Sequence, residues 1–215
     1  MDFPSGGIAL AVLAALGVLG LGRAIALGMR GVLVIPVDRQ RRLHEILADV
    51  VFALSFLLWI HEVIAAAWPL ERHLVPAALA EAAFEALPVQ VAGAAVMATG
   101  LAIYGLALQA FGPSWRFTID RERAGELVTG GIFARTRNPI YLALGLVAFG
   151  SALLLARPIL FVLTLVFVAY FAHLVRREEA FLRGHYGEAY RDYCRRVDRV
   201  WTFRARRRDV APLDP

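Results

Sequence analysis

The sequence predicts an all-α fold: a polytopic membrane bundle of about five transmembrane helices, closed by a C-terminal interfacial helix. Three observations predict it. The 215 residues are 59% hydrophobic, with a mean hydropathy of +0.61, whereas soluble domains are about half apolar. The apolar residues gather into five runs, near the roughly 20 residues that cross a hydrocarbon core. Arginine collects in alternate connections between those runs, as loops on one membrane face do. All 23 basic residues are arginines and the formal net charge is +5. Because they stand in short blocks beside apolar runs, they fit membrane orientation and exclude a nucleic-acid partner. Cys194, the sole cysteine, excludes a disulfide framework and a cysteine-based metal site, so no metal is expected.

Taken in order, the first span is Ile8 to Leu27, roughly 30 Å of helix, with Arg23 near its end as a snorkelling anchor. The run is too long for a signal peptide's core and lacks a basic start, so it is read as a retained span. Arg30, Arg39, Arg41 and Arg42 form a basic loop. The second span runs from about Ile46 to Trp68, with His61 and Glu62 near its far end, either as substrate ligands or, the reading preferred, as interfacial polar residues. Pro69 to Leu87 is a mixed loop with Glu71, Glu81, Glu85 and one arginine, Arg72. Pro88 to Phe111 is the third span, where Gly93, Gly100 and Gly105 offer small faces for close packing. Gly112 to Thr136 is the longest polar connection, with Arg116, Arg121, Arg123 and Arg135.

Asn138-Pro139 reads as the start of the fourth span, 139–156. Asn is a favoured N-cap, and Pro suits the first helical position because its missing N–H would be unpaired there. The free N–H groups and positive dipole end of such a helix form a ready anion site. Arg157-Pro158 is a tight break, and Pro158 to Val175 is the fifth span, antiparallel to the fourth. From Arg176 the chain is arginine-rich and aromatic, the composition of an interfacial helix reaching Trp201. Residues 204–215 form a basic, disordered tail. The organisation is thus a three-span region 1–111, a region 112–203 of loop, two-span hairpin and C-terminal amphipathic helix, and the tail 204–215. The arginine alternation places the N-terminus outside and the C-terminus in the cytoplasm, in an integral membrane protein of a bacterial inner membrane.

Two polar clusters then return to one cytoplasmic face: Arg135-Thr136-Arg137-Asn138-Pro139-Ile140-Tyr141 and Arg176-Arg177-Glu178-Glu179. Carboxylates at a membrane interface are costly unless engaged, and Arg137, Arg176 and Arg177 are at hand, to make either a plain salt-bridged helix end or a functional site. Tyr186, Tyr190 and Tyr193, spaced four and three, would share one helical face, either as an aromatic interface belt or as a wall for a planar ring such as adenine.

These residues resemble a family. Arg137-Asn138-Pro139-Ile140-Tyr141 opens one span and Glu178-Glu179 closes the next. Tyr186-Gly187, Tyr190-Arg191-Asp192-Tyr193 and Val197-Asp198-Arg199 follow in order. The combination is similar to the isoprenylcysteine carboxyl methyltransferases, within the wider group of small membrane methyltransferases that includes phospholipid N-methyltransferases. The likeness covers about Gly130 to Trp201. Asn138 stands where the eukaryotic members have His, and Asp198 where the family has Pro.

The resemblance implies S-adenosylmethionine as methyl donor and a lipophilic acceptor entering from the bilayer. By that carry-over Arg137, Asn138, Pro139 and Tyr141 border the cofactor. Glu178 and Glu179 hold it or orient arginines, and Tyr186, Tyr190, Tyr193 and Arg199 complete the pocket. Methyl transfer from a sulfonium is an in-line displacement in which positioning supplies much of the acceleration. A carboxylate acceptor needs only an arginine to hold it, Arg137 or Arg177. An amine, thiol or hydroxyl needs a base, Glu178 or Glu179. Two other readings stand beside this one. A sterol-reductase-like membrane enzyme using NADPH carries a similar Arg-His-Pro-x-Tyr, and a non-enzymatic scaffold could hold anionic lipids on its arginines.

Overall fold

The computed structural model of the chain describes residues 4–29, 42–68, 74–111 and 127–203. The expected loop arginines 30, 39, 41, 72, 116, 121 and 123, and the basic tail 204–215, lie outside the described residues. The described elements are helical: α1 (Ser5–Gly28), α2 (Leu43–Ala67), the short α3 (Ala77–Ala80), α4 (Leu87–Phe111), α5 (Pro139–Leu155), α6 (Pro158–Tyr186) and α7 (Glu188–Arg196), with a single 3₁₀ turn at Gly131–Ala134. Helices α1, α2, α4 and α6 are long and apolar enough to cross a membrane, and α5, at 17 residues, is a shorter fifth apolar helix. At 1.5 Å per residue α5 covers about 25 Å.

The C-terminal part differs from the expectation of one interfacial helix from Arg176 to Trp201. Helix α6 runs unbroken for 29 residues, so Arg176–Tyr186 is a polar extension of the fifth span beyond its apolar part, which ends at Val175. Nothing in that extension interrupts the backbone ladder until Gly187, whose φ of +54° and ψ of −121° favour glycine. The interfacial helix proper is therefore α7, nine residues long, and it stops before Val197. Tyr186 lies before the break and Tyr190 and Tyr193 after it, so the three phenols do not share one helix.

Helices α4 and α5 make the closest seam. A β-carbon on Gly93 would come within 2.5 Å of the Leu154 backbone nitrogen, and one on Gly150 within 2.7 Å of the Gly93 carbonyl oxygen. Glycine is what lets these two backbones touch, the small-residue packing of membrane helices. Gly100 meets the Ala143 carbonyl in the same way, whereas Gly105 faces open space and takes no part. One continuous apolar core runs from Ala9 through Met97, Val147 and Leu160 to Phe171. It fixes the antiparallel α5–α6 hairpin against α4 and α2.

At the turn of that hairpin, Glu62 is not an interfacial residue. It is fully buried, and Arg157 donates to its Oε2 at 2.8 Å and to its carbonyl oxygen at 3.0 Å. His61 Nδ1 lies 3.1 Å from Oε1. A buried carboxylate needs such a partner, and this pair pins the end of α2 to the α5–α6 turn. Nearby, Trp59 donates to Ser151 Oγ at 3.0 Å.

Candidate active site

The other end of the hairpin is built on a second buried carboxylate. Glu179, one turn beyond the apolar part of α6, is 1% exposed. Arg137, directly before α5, donates from Nε and Nη2 to Oε1 at 3.2 and 3.0 Å. Arg199, beyond α7, donates from Nη2 to Oε2 at 2.6 Å and from Nε to Oε1 at 3.1 Å. Arg183, one turn on along α6, reaches Oε2 at 3.4 Å. Three segments distant in sequence thus converge on one carboxylate. Burial pushes the Glu179 carboxyl up, but the charge-assisted bonds from Arg199 and Arg137 outweigh it and hold the group below its ordinary value. The same bond raises the Arg199 guanidinium.

Arg137 is almost wholly committed. Its Nη1 also donates to the carbonyls of Cys194 and Val197, at 3.3 and 3.1 Å, so one side chain joins the start of α5, the extension of α6 and the end of α7. Backbone bonds reinforce the join. Arg137 N donates to Asp198 O at 3.2 Å and Thr202 N to Arg135 O at 2.6 Å. Thr136 Oγ1 donates to Arg199 O at 3.2 Å and accepts from Asn138 N at 3.1 Å. Asp198 N donates to Thr202 Oγ1 at 2.7 Å. Buried Thr136 and Thr202, like Arg183, are site residues that sequence reasoning did not single out. Arg183 could have been found by its position four residues after Glu179 on one helix.

Asn138 and Pro139 do open α5, with Pro at the first helical position, but the Asn138 side chain makes no capping bond. It turns instead to Arg199 O at 3.3 Å and Glu179 Oε1 at 3.5 Å. With the Asn138 N–H held by Thr136 and no N–H on Pro139, the helix start offers fewer free donors than an open N-terminus. Tyr141, one turn into α5, hydrogen-bonds Glu178, and its ring lies 5.7 Å from that of Phe171. Burial pushes the Glu178 carboxyl up from its ordinary value, against the Tyr141 bond and with the added push of Glu179. Neighbouring glutamates are therefore driven in opposite directions.

Arg177 is not brought to this cluster. It points to α2, where its Nη2 is 3.4 Å from Glu45 Oε1. Tyr190 and Tyr193 are buried with Phe133 and Val197 in a small apolar cluster, and half-buried Tyr186 packs at its side. The Tyr193 hydroxyl donates to Phe133 O at 2.7 Å, which fastens the 3₁₀ turn to α7. Burial raises both phenols. Around Glu179, one carboxylate faces three guanidiniums, and the Arg183 and Arg199 side chains are 54% and 49% exposed. The rim is therefore electropositive. Glu178 has two carboxylate oxygens and, among the described residues, one hydrogen-bond partner, the Tyr141 phenol, so it keeps acceptor capacity.

The phospholipid methyltransferase family model matches residues 89–189, from α4 to the first residues of α7. Proteins named probable protein-S-isoprenylcysteine O-methyltransferase from Oryza sativa subsp. indica and subsp. japonica are each 30% identical to the chain over 150 residues, covering 68% of the chain and 78% of the relative.

Proposed function

The chain belongs to the family of small integral-membrane methyltransferases typified by the protein-S-isoprenylcysteine O-methyltransferases and phospholipid methyltransferases, and on that premise we propose that it moves a methyl group from S-adenosylmethionine to the polar end of a lipid. The observation that carries the reading is the convergence itself. Arg137 and Asn138 from the first motif and Arg199 from the last meet Glu179 at one end of the α5–α6 hairpin. The family match and the named relatives favour methyl transfer over the reductase and scaffold readings.

The side chains present suit the donor. Bound there, S-adenosylmethionine supplies a methyl group on a sulfonium, open to in-line displacement. Its cationic groups match the free acceptor capacity of Glu178, and its carboxylate matches the half-exposed rim arginines Arg183 and Arg199. Tyr141 orients Glu178 by its hydrogen bond. Arg137 and Glu179 act as the frame: they hold three segments in register, so the groups that touch the reactants are preorganised. For a carboxylate acceptor the chain need only position the nucleophile. For an amine or thiol, Glu178 is the group able to take the proton, since burial already favours its protonated form. The face that carries the site is read as cytoplasmic, in a bacterial inner membrane with the N-terminus outside, because the arginine-rich connections share that face.

Calorimetry with S-adenosylhomocysteine, beside NADPH, on the detergent-purified chain tests the reading. Wild-type protein binds the homocysteine compound and not NADPH. Glu178→Gln and Tyr141→Phe weaken binding while the protein stays folded. Binding of NADPH alone would reverse the assignment to the reductase, and silence with both ligands would end the enzyme reading.

A further inference from the structure

Helix α6 faces α2 with a ladder of polar side chains at 170, 173 and 177, one helical stripe. Two rungs are complete. The Tyr170 hydroxyl donates to Asp49 at 2.7 Å, and Arg177 pairs with Glu45 at 3.4 Å. The middle rung is not. His173 Nε2 is buried and has no hydrogen-bond partner among the described residues. In the antiparallel register the α2 residue between Glu45 and Asp49 is Ala48, too short and too apolar to answer it. A buried polar atom left unpaired costs roughly 1–3 kcal/mol, and an ionisable residue in a membrane helix marks a functional site by default.

The space in front of the missing rung is a cavity of about 250 Å³, lined by Ala48, Val51, Phe52, Ala169, Tyr170 and His173. Its wall is rigid on one side, where Phe52 stacks on Tyr170 with centroids 4.2 Å apart. Val51, which lines it, is 55% exposed, so the cavity reaches the outer, lipid-facing side of the bundle. Pockets for drug-sized molecules run from about 300 to 1,000 Å³, so this one suits a segment of a single hydrocarbon chain. An apolar slot open to lipid, with one hydrogen-bonding atom inside, fits an amphiphile.

We propose that the α2–α6 groove seats the hydrocarbon chain of the methyl acceptor and that His173 Nε2 hydrogen-bonds its polar end. This rests on the methyltransferase reading above. The groove shares α6 with Glu178, and His173 precedes that residue by five positions, about 7.5 Å of helix rise. Phe52 of the groove wall and Tyr141, the partner of Glu178, both pack against the Phe171 ring, with centroids 5.7 Å away in each case, so the groove adjoins the Tyr141–Glu178 pair. Depending on its tautomer, the ring donates to a carboxylate or accepts from an N–H. His173 is thus a specificity-determining residue, and Ala48 is small because the acceptor fills the gap.

The full chain in phospholipid nanodiscs, saturated with S-adenosylhomocysteine, is irradiated with N-acetyl-S-farnesylcysteine carrying a diazirine in its chain. A diacyl phosphatidylcholine with the same group is the comparison probe. Adducts of the farnesyl probe fall on residues 48–52 and 166–173. Ala48→Trp, which fills the slot, lowers them about ten-fold. His173→Leu lowers them about five-fold, and His173→Gln restores them because a hydrogen-bonding group returns. All three variants bind S-adenosylhomocysteine as wild type does, which shows that they are folded. Adducts spread evenly over the lipid-facing surface, equal labelling by the phosphatidylcholine probe, or labelling that survives Ala48→Trp would each overturn the groove. Wild-type protein that fails to bind S-adenosylhomocysteine would overturn the parent reading, a result separable from the labelling pattern.

Discussion

Two buried glutamates close the two ends of the α5–α6 hairpin, and they are held in different ways. Glu62 has one arginine, Arg157, and a histidine beside it. The pair is neutral, and both members lie inside the fold. Glu179 has three arginines from three segments, and two of these remain half-exposed. The first arrangement is a lock between α2 and the hairpin turn. The second is also a lock, but one with a surplus of positive charge at its rim among the described residues, able to attract an anion. The contrast indicates that burial of a carboxylate does not mark a site by itself; uncompensated partners around it do.

The largest way to break the comparison is Glu179→Ala. It leaves the Arg137 guanidinium buried with half its partners gone, and breaking a buried pair costs about 3–5 kcal/mol. Chemical unfolding should show that loss, together with loss of S-adenosylhomocysteine binding. At the opposite end, Glu62→Gln keeps a hydrogen-bonding group of the same shape but removes the charge facing Arg157. It should cost about 1–3 kcal/mol and leave S-adenosylhomocysteine binding at the wild-type value. Equal effects of both substitutions on binding would mean that the two ends are not distinct.

The two ends also differ in how legible they were. The Glu179 end is written in compact motifs: Arg137 directly before an Asn-Pro helix start, Glu178-Glu179 at the end of an apolar run, and Tyr190, Tyr193 and Arg199 in order. What those motifs did not convey is the division of labour. Arg177 is adjacent to Glu178 in sequence, yet the helical turn swings it to Glu45 on α2. Gly187 breaks the helix between Tyr186 and Tyr190, a backbone event that the spacing of phenols does not register. The Thr136 and Thr202 hydroxyls work through backbone partners, which no side-chain pattern announces. The Glu62 end carries no such compact motif, because its partner is 95 residues away. A signal was present all the same. The arginine alternation already put the end of the second span and the 157–158 turn on one membrane face, where a lone carboxylate and a lone arginine had reason to meet.

Acid sharpens the comparison at a smaller scale. The Glu179 carboxyl is held below its ordinary value in the folded protein, whereas an unfolded glutamate titrates at about 4.3. Its contribution is therefore fully present above the unfolded value and is lost as pH falls through the lower, folded value. Wild-type stability should drop through that acidic window. Glu179→Gln, less stable at neutral pH, should lose less there, so the two unfolding curves converge as the pH is lowered. Parallel curves would show that the three arginines do not favour the charged form.

The smallest effect belongs to the turn that aims Arg157 at Glu62. Ala156 closes α5 in the left-handed conformation, with φ of 52° and ψ of 22°, which costs a residue with a side chain roughly 1–2 kcal/mol. Ala156→Gly removes that cost. It also frees the unfolded chain, worth about 0.4–1 kcal/mol against folding, and strips a buried methyl worth about 0.8 kcal/mol. The contributions nearly cancel, so thermal unfolding of Ala156→Gly should fall within about 0.5 kcal/mol of wild type. Ala156 is 1% exposed, and its carbonyl accepts from Ala83 N at 2.9 Å, so the turn is fixed from both sides whichever residue occupies it. A large destabilisation would instead show that the methyl's packing, and not the Arg157–Glu62 pair, sets the geometry of this end.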